Sequence, residues 1–242
     1  MHPSRHAQSV ETDPIRILGG ACVLWMQANE FTTATGVNAI VDRAVGSAQN
    51  AVQATGANQP TVFGFSTTTG HRHIKPDGSN DILTSSLSAL IGATGRPYFW
   101  VVMRASSTAT TIPVSATKNT TDAVSYLVVD SPNFRVAQFS SDGTENVFGP
   151  AVDTALHLHE WGFKTSGTAR YVVDGVAYDG TKSGGIAVDF NRLHLGALGL
   201  GAFANFSDAE FHEIVVSNAI PNASQERLFR SYFSRKYRLA IA

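Results

Sequence analysis

Short apolar segments separated by turn residues recur from Pro60 to Ser217, and this rhythm leaves room for little except strands. Strands at such short intervals are the mark of a sandwich or a barrel. The segments fall near Thr61–Phe65, Pro97–Arg104, Thr111–Thr117, Val124–Asp130, Asn133–Ser140, Leu156–Lys164, Ala169–Asp174, Asn191–Ala197 and Glu210–Ser217, after a first strand region over Ile17–Ala28. Asp142–Gly143 and Asp174–Gly175 read as hairpin turns, because glycine accepts positive φ at little steric cost. The run Tyr98–Met103, YFWVVM, is apolar at every position, so it is expected to be a central strand covered on both faces. One helix is expected, over Ala223–Arg238. Asn222 or Ser224 can cap it, Arg235, Lys236 and Arg238 suit its C-terminal dipole, and Leu228, Phe229, Tyr232, Phe233 and Tyr237 form an apolar stripe.

A chain of 242 residues with 43% hydrophobic content can bury a sizeable core, and all-β sandwiches of this length are commonly one domain. We therefore expect a single sandwich over residues 17–242, preceded by a polar N-terminal arm over residues 1–16 that carries Pro3 and Pro14. The net charge of -1 argues against nucleic acid or an anionic membrane as partner. Cys22 is the sole cysteine, which excludes an internal disulfide; in its apolar run it reads as a buried, inert thiol. No signal-peptide core and no apolar run long enough to span a membrane is evident, so release by cell lysis is one expected route to an extracellular or virion location.

Three segments carry a family resemblance. Val23–Asn29 reads VLWMQAN and Tyr171–Val176 reads YVVDGV, while Leu193–Leu239 runs from a glycine-ended strand through an apolar strand into a basic helix. Between them, Asp42, Asn50, Ala51, Gln53, Ala54, Gln59 and Pro60 follow the spacing of an extended connection. Together these resemble the LamG-like, concanavalin A-like family, from about Cys22 to Leu239. The resemblance implies an all-β jelly-roll β-sandwich with one C-terminal helix, a fold that mostly serves binding and assembly.

Candidate chemistry is sparse. Asp208, Glu210 and Glu213 approach the paired-carboxylate pattern of glycoside hydrolases on this fold, but Glu210 and Glu213 fall on opposite faces of a regular strand and read as edge charges. Alternation over Leu156–Lys164 puts His157, His159 and Trp161 on one face, where the histidines could bind a metal and the indole could stack on a sugar, or all three could be structural. His71-Arg72-His73 lies in an expected loop. Asp77, Asn80 and Asp81 in KPDGSND could gather oxygens around calcium, or form a turn. No Gly-x-Ser-x-Gly, P-loop, His-Glu-x-x-His or Cys-x-x-Cys occurs, and Gly196–Gly201 ends a strand without opening a helix, which excludes a dinucleotide fingerprint. The expected function is therefore a non-enzymatic structural or binding protein, a tailed-phage virion component (capsid decoration, or head or tail fibre) whose partners are virion proteins and further copies of itself. The alternative is a carbohydrate-binding, lectin-like module reading a cell-surface glycan, and third stands a glycoside hydrolase or lyase.

Overall fold

The computed structural model describes residues 12–33, 36–44, 49–63, 70–86, 96–118, 122–140, 143–183, 191–200 and 202–242. Residues 1–11 of the expected arm, Phe65 and Asp142 lie outside them. In chain order the strands begin with β1 (Cys22–Thr33), β2 (Val37–Asp42), β3 (Ala51–Val52), β4 (Thr61–Phe63), β5 (His73–Lys75) and β6 (Leu83–Ser86). They continue with β7 (Tyr98–Arg104), β8 (Thr111–Lys118), β9 (Asp122–Asp130), β10 (Asn133–Ser140), β11 (Gly143–Ala151) and β12 (Leu156–Phe163). The last six are β13 (Thr168–Val173), β14 (Val176–Ser183), β15 (Arg192–Leu195), β16 (Leu198–Leu200), β17 (Ala202–Ala204) and β18 (Glu210–Ser217). Two α-helices, α1 (Pro14–Leu18) and α2 (Ala223–Tyr237), and two short 3-10 helices over Gly19–Ala21 and Gly56–Asn58 complete the described elements.

Fourteen strands form one antiparallel path, β11-β10-β9-β8-β15-β6-β3-β2-β1-β18-β7-β12-β13-β14, which folds over so that its two halves face each other; β5 pairs with β18 and β4 off this path, and β16 and β17 form a separate two-stranded sheet. Contacts across the fold fix this arrangement. Trp161 Nε1 on β12 donates to Ser125 Oγ on β9 at 2.9 Å, and the ring of Phe134 on β10 meets His159 on β12 at 4.9 Å. The Tyr171 ring on β13 also packs against the backbone of β11: a Cβ on Gly149 would lie 2.5 Å from it. At the ends of the path, Glu145 on β11 accepts from the backbone N–H of Thr181 and Lys182 on β14. The result is the jelly-roll-like β-sandwich expected from the sequence.

Strands β1, β18, β7 and β12 are covered on both faces, and β7 shows why its sequence lacks alternation. Phe99, Val101 and Met103 point into the core between the layers, while Tyr98, Trp100 and Val102 point toward α2. Phe229 and Phe233 of α2 are fully buried there, and Phe229 stacks on Trp100 with centroids 4.2 Å apart. Burying each phenyl ring contributes about 1.5–3 kcal/mol. Asn222 caps α2 in a capping box with Gln225, and Arg238 ends it in the left-handed region. Leu228, expected in the buried stripe, is 39% exposed and faces away from the sheet.

The chain start differs from expectation. Asp13 accepts from Arg16 N–H and Pro14 occupies the first turn, so Pro14–Leu18 is a short helix and not part of an arm. Pro14, Ile17 and Leu18 are buried, and Ile15 packs against the α2-side core. The first strand then starts at Cys22, not at Ile17, and runs past the expected end at Ala28 to Thr33. The Asp174–Gly175 turn is as expected, with φ of 48° and 88°.

Candidate functional site

The residues singled out on β12 do share one face, but that face is the inside of the sandwich. Trp161 is 0% exposed, stacked on Phe99 at 4.6 Å with its N–H committed to Ser125. It therefore has no ring face to offer a sugar, which corrects the stacking expectation. His159 is equally buried, with Nδ1 2.7 Å from the Tyr171 hydroxyl; burial, then the neighbouring His157, hold its pKa well below the ordinary value. His157 sits nearer the surface, its Nδ1 2.6 Å from Asp174 and its Nε2 2.8 Å from Asp153. Burial lowers its pKa, but hydrogen bonds to the two carboxylates outweigh this and raise it. Both ring nitrogens are thereby occupied, and the pair acts as a clamp between the β11–β12 connection and the β13–β14 turn.

The KPDGSND segment is a self-capped turn. Asp77 Oδ1 accepts from the backbone N–H of Ser79 and Asn80 at 2.8 and 3.1 Å, and Asp81 Oδ2 accepts from Asp77 N–H at 2.9 Å. Burial raises the Asp77 pKa, and the amide donors bring it below its ordinary value. One oxygen of each of these carboxylates is thus committed to the turn's own amides. Among the described residues, no three His, Cys, Asp or Glu side chains are grouped to hold a metal ion.

Glu210 and Glu213 are not edge charges. The strand that carries them, β18, runs between β1 and β7, and both carboxylates are buried. Glu210 is met by Arg104, His73 and Lys75. Glu213 Oε1 accepts from Trp25 Nε1 at 2.5 Å, Tyr232 OH at 2.9 Å and Gln27 Nε2 at 3.3 Å; Oε2 accepts from Tyr237 OH at 2.7 Å and Lys236 Nζ at 2.8 Å. Five donors around one buried carboxylate fix where the last turns of α2 sit on the sheet.

Above this carboxylate opens a groove of about 650 Å³, a volume typical of small-molecule sites. Its walls are Trp25 and Gln27 from β1, Arg43 after β2, His71 before β5, Asp13 before α1, and Tyr232, Arg235 and Lys236 from α2. The local folding explains each placement. Trp25 and Gln27 alternate with core residues Leu24, Met26 and Ala28, so they face α2. Tyr232 and Lys236 lie one helical turn apart on the same flank of α2, and Lys236 Nζ donates to the Tyr232 hydroxyl at 2.8 Å. Arg43 lies over the Trp25 ring, its guanidinium carbon 4.2 Å from the centroid, while Asp42 beside it accepts from the backbone N–H of Trp25 and Ala44. His71 Nε2 is 2.9 Å from the Lys236 carbonyl, which closes one end. Sequence reading gave none of these residues a site role. The available signal was the polar Gln27 beside Trp25 in an otherwise apolar strand, and a cluster of basic residues already accounted for by the helix dipole.

Neither a family model nor a curated protein matches the chain. Solved structures do. The chain is similar to Trypanosoma rangeli sialidase in complex with the inhibitor DANA, at TM-score 0.61 and 16% identity over 86% of this chain and 32% of that one. It is also similar to the botulinum neurotoxin serotype D ligand binding domain in complex with N-acetylneuraminic acid, at TM-score 0.54 and 9% identity over 88% and 51% of the two chains. A third similarity is to the receptor binding domain of botulinum neurotoxin D, at TM-score 0.55 and 10% identity over 89% and 53%. The chain thus spans about a third of the sialidase and about half of the toxin domains. At these identities the likeness is one of fold.

Proposed function

We propose that the chain is a non-catalytic carbohydrate-binding module whose sugar site is the groove beside α2. The observation that carries this reading is the groove itself: a concavity of about 650 Å³ on a rigid sheet-and-helix frame, lined by one half-buried aromatic, Tyr232, and by planar hydrogen-bonding side chains. Sugars present apolar C–H faces and paired hydroxyls, and such a lining meets both needs. The solved structures with a similar fold include proteins in complex with N-acetylneuraminic acid or the inhibitor DANA, which supports the same reading. The acidic residues argue for binding over hydrolysis, since Glu210 and Glu213 are committed to cations and neutral donors within the protein. A glycan array with the whole chain, with and without calcium, tests the proposal. Binding that survives EDTA and is lost in a folded Tyr232→Ala variant is expected; silence from folded protein would overturn it.

A LamG-like particle component remains a second reading, supported by Phe139 and Phe148 on the outer face of the β10–β11 hairpin, with Phe148 59% exposed. Such surface favours self-association. Light scattering that finds only monomer at high concentration would remove that support.

A further inference from the structure

We propose that the groove holds its glycan through an anionic group on the sugar, a carboxylate or a sulfate, gripped by Arg235 and Arg43. This inference rests on the carbohydrate reading above and adds the ligand class. Its basis is how each charge along the groove is already used. Lys236 is spent, since its ammonium donates to Glu213 and to the Tyr232 hydroxyl. Asp13, a carboxylate on the rim, is engaged in capping α1 through Arg16 N–H at 2.8 Å.

The two guanidinium groups are different. Arg235 is exposed, and only its Nε is used, donating to the Ser231 carbonyl at 3.1 Å. That bond orients the group and leaves its terminal nitrogens open; among the described residues Arg235 enters no ion pair. Arg43 is held flat by Trp25, and its Nε is 3.3 Å from Glu30 in a pair about one-third exposed on each side. Solvent-exposed pairs of this kind contribute only about 0–1 kcal/mol, so an anionic ligand can compete for this guanidinium. Planar, pre-oriented guanidinium groups match the oxygen geometry of carboxylate and sulfate. Stabilisation of the α2 dipole accounts for basic residues at 235 and 236. It does not account for Arg43, which reaches the groove from a different element, the end of β2. The chain as a whole carries a net charge of -1, so this positive character is local and not part of a general basic surface.

The test is isothermal titration of the whole chain with lactose, sialyllactose and sulfated lactose. At least one acidic sugar is expected to bind about ten-fold or more tighter than lactose, with the gap narrowing as salt rises to about 0.5 M. Arg235→Ala should erase most of that preference without changing the melting temperature, and Arg235→Lys should restore only part of it. Which acidic sugar wins separates carboxylate from sulfate. If lactose binds as well as both acidic sugars, or if Arg235→Ala and Arg43→Ala keep the preference, the anion anchor is overturned while the carbohydrate reading stands. If a folded protein binds none of the three and is silent on the array, both fall.

Discussion

Replacing Glu213 by glutamine removes one oxygen from the most heavily bonded side chain described, and the cost can be worked from its partners. The amide retains an acceptor for one set of donors and turns two N–H groups toward the other. If the oxygen stays with Trp25, Tyr232 and Gln27, the amide nitrogen faces Tyr237 OH and Lys236 Nζ, at 2.7 and 2.8 Å from the present Oε2. The phenol can rotate and accept; the ammonium cannot. Breaking one side of a buried ion pair costs about 3–5 kcal/mol, and Lys236 retains some exposure, which places the loss near the lower end. About 3 kcal/mol corresponds to a melting shift of about 6–12 °C for a chain of this size. Urea unfolding followed by circular dichroism would measure it. Adding Lys236→Met to Glu213→Gln should then cost little more, because the orphaned ammonium is gone, giving a coupling of about 1–3 kcal/mol. A loss below about 1 kcal/mol for Glu213→Gln, or strict additivity of the two changes, would refute the argument that this carboxylate anchors α2.

Trp161→Ala should destabilise by about 3–5 kcal/mol in urea unfolding, and any folded fraction should bind glycan normally, because the indole fills the core. His157, with its pKa raised, contributes stability that is complete below about 6.5 and lost as pH rises through the higher folded value. Burial pushes Glu160 up to about 7 despite Arg230, so its contribution is complete below about 4.5 and disappears by neutral pH. Stability measured from pH 5 to 9 should accordingly fall less steeply in His157→Gln and Glu160→Gln than in the parent. Cys22, its thiol pushed up to about 12 by burial and the nearby Asp42 and Asp13 charges, should resist a thiol reagent at pH 8 until the chain is unfolded. The melting temperature should shift by less than about 1 °C between calcium and EDTA, since KPDGSND closes on its own amides.

The sandwich was legible wherever one strand's environment is written in its own residues. The run Tyr98–Met103 has no polar position because both its faces are covered, and the sequence said as much. The strand β14, VAYDGTKS, escaped notice because its outward positions and its turn residues erase the alternation. Glu210 and Glu213 misled for a related reason: a carboxylate in an apolar run reads as an exposed edge unless its partners are known. Those partners, Trp25 and Lys236 among them, arrive from opposite ends of the chain. The groove was illegible in the same way, since its walls come from β1, from α2 and from the segments just before α1, just after β2 and just before β5. His157, His159 and Trp161 were correctly placed on one face, yet alternation alone does not tell an inward face from an outward one when both are apolar.

The pairing of β1 with β18, which brings Cys22 opposite Ser217, also sets a timetable. A ribosome must release nearly the whole chain before Val23–Met26 meets its partner, and α2 comes later still. Loop closure over such a span is slow. Until it happens, an apolar strand waits with one edge open to any other nascent chain. Yield of folded protein should therefore respond more to the rate and temperature of synthesis than to changes in the finished molecule's surface.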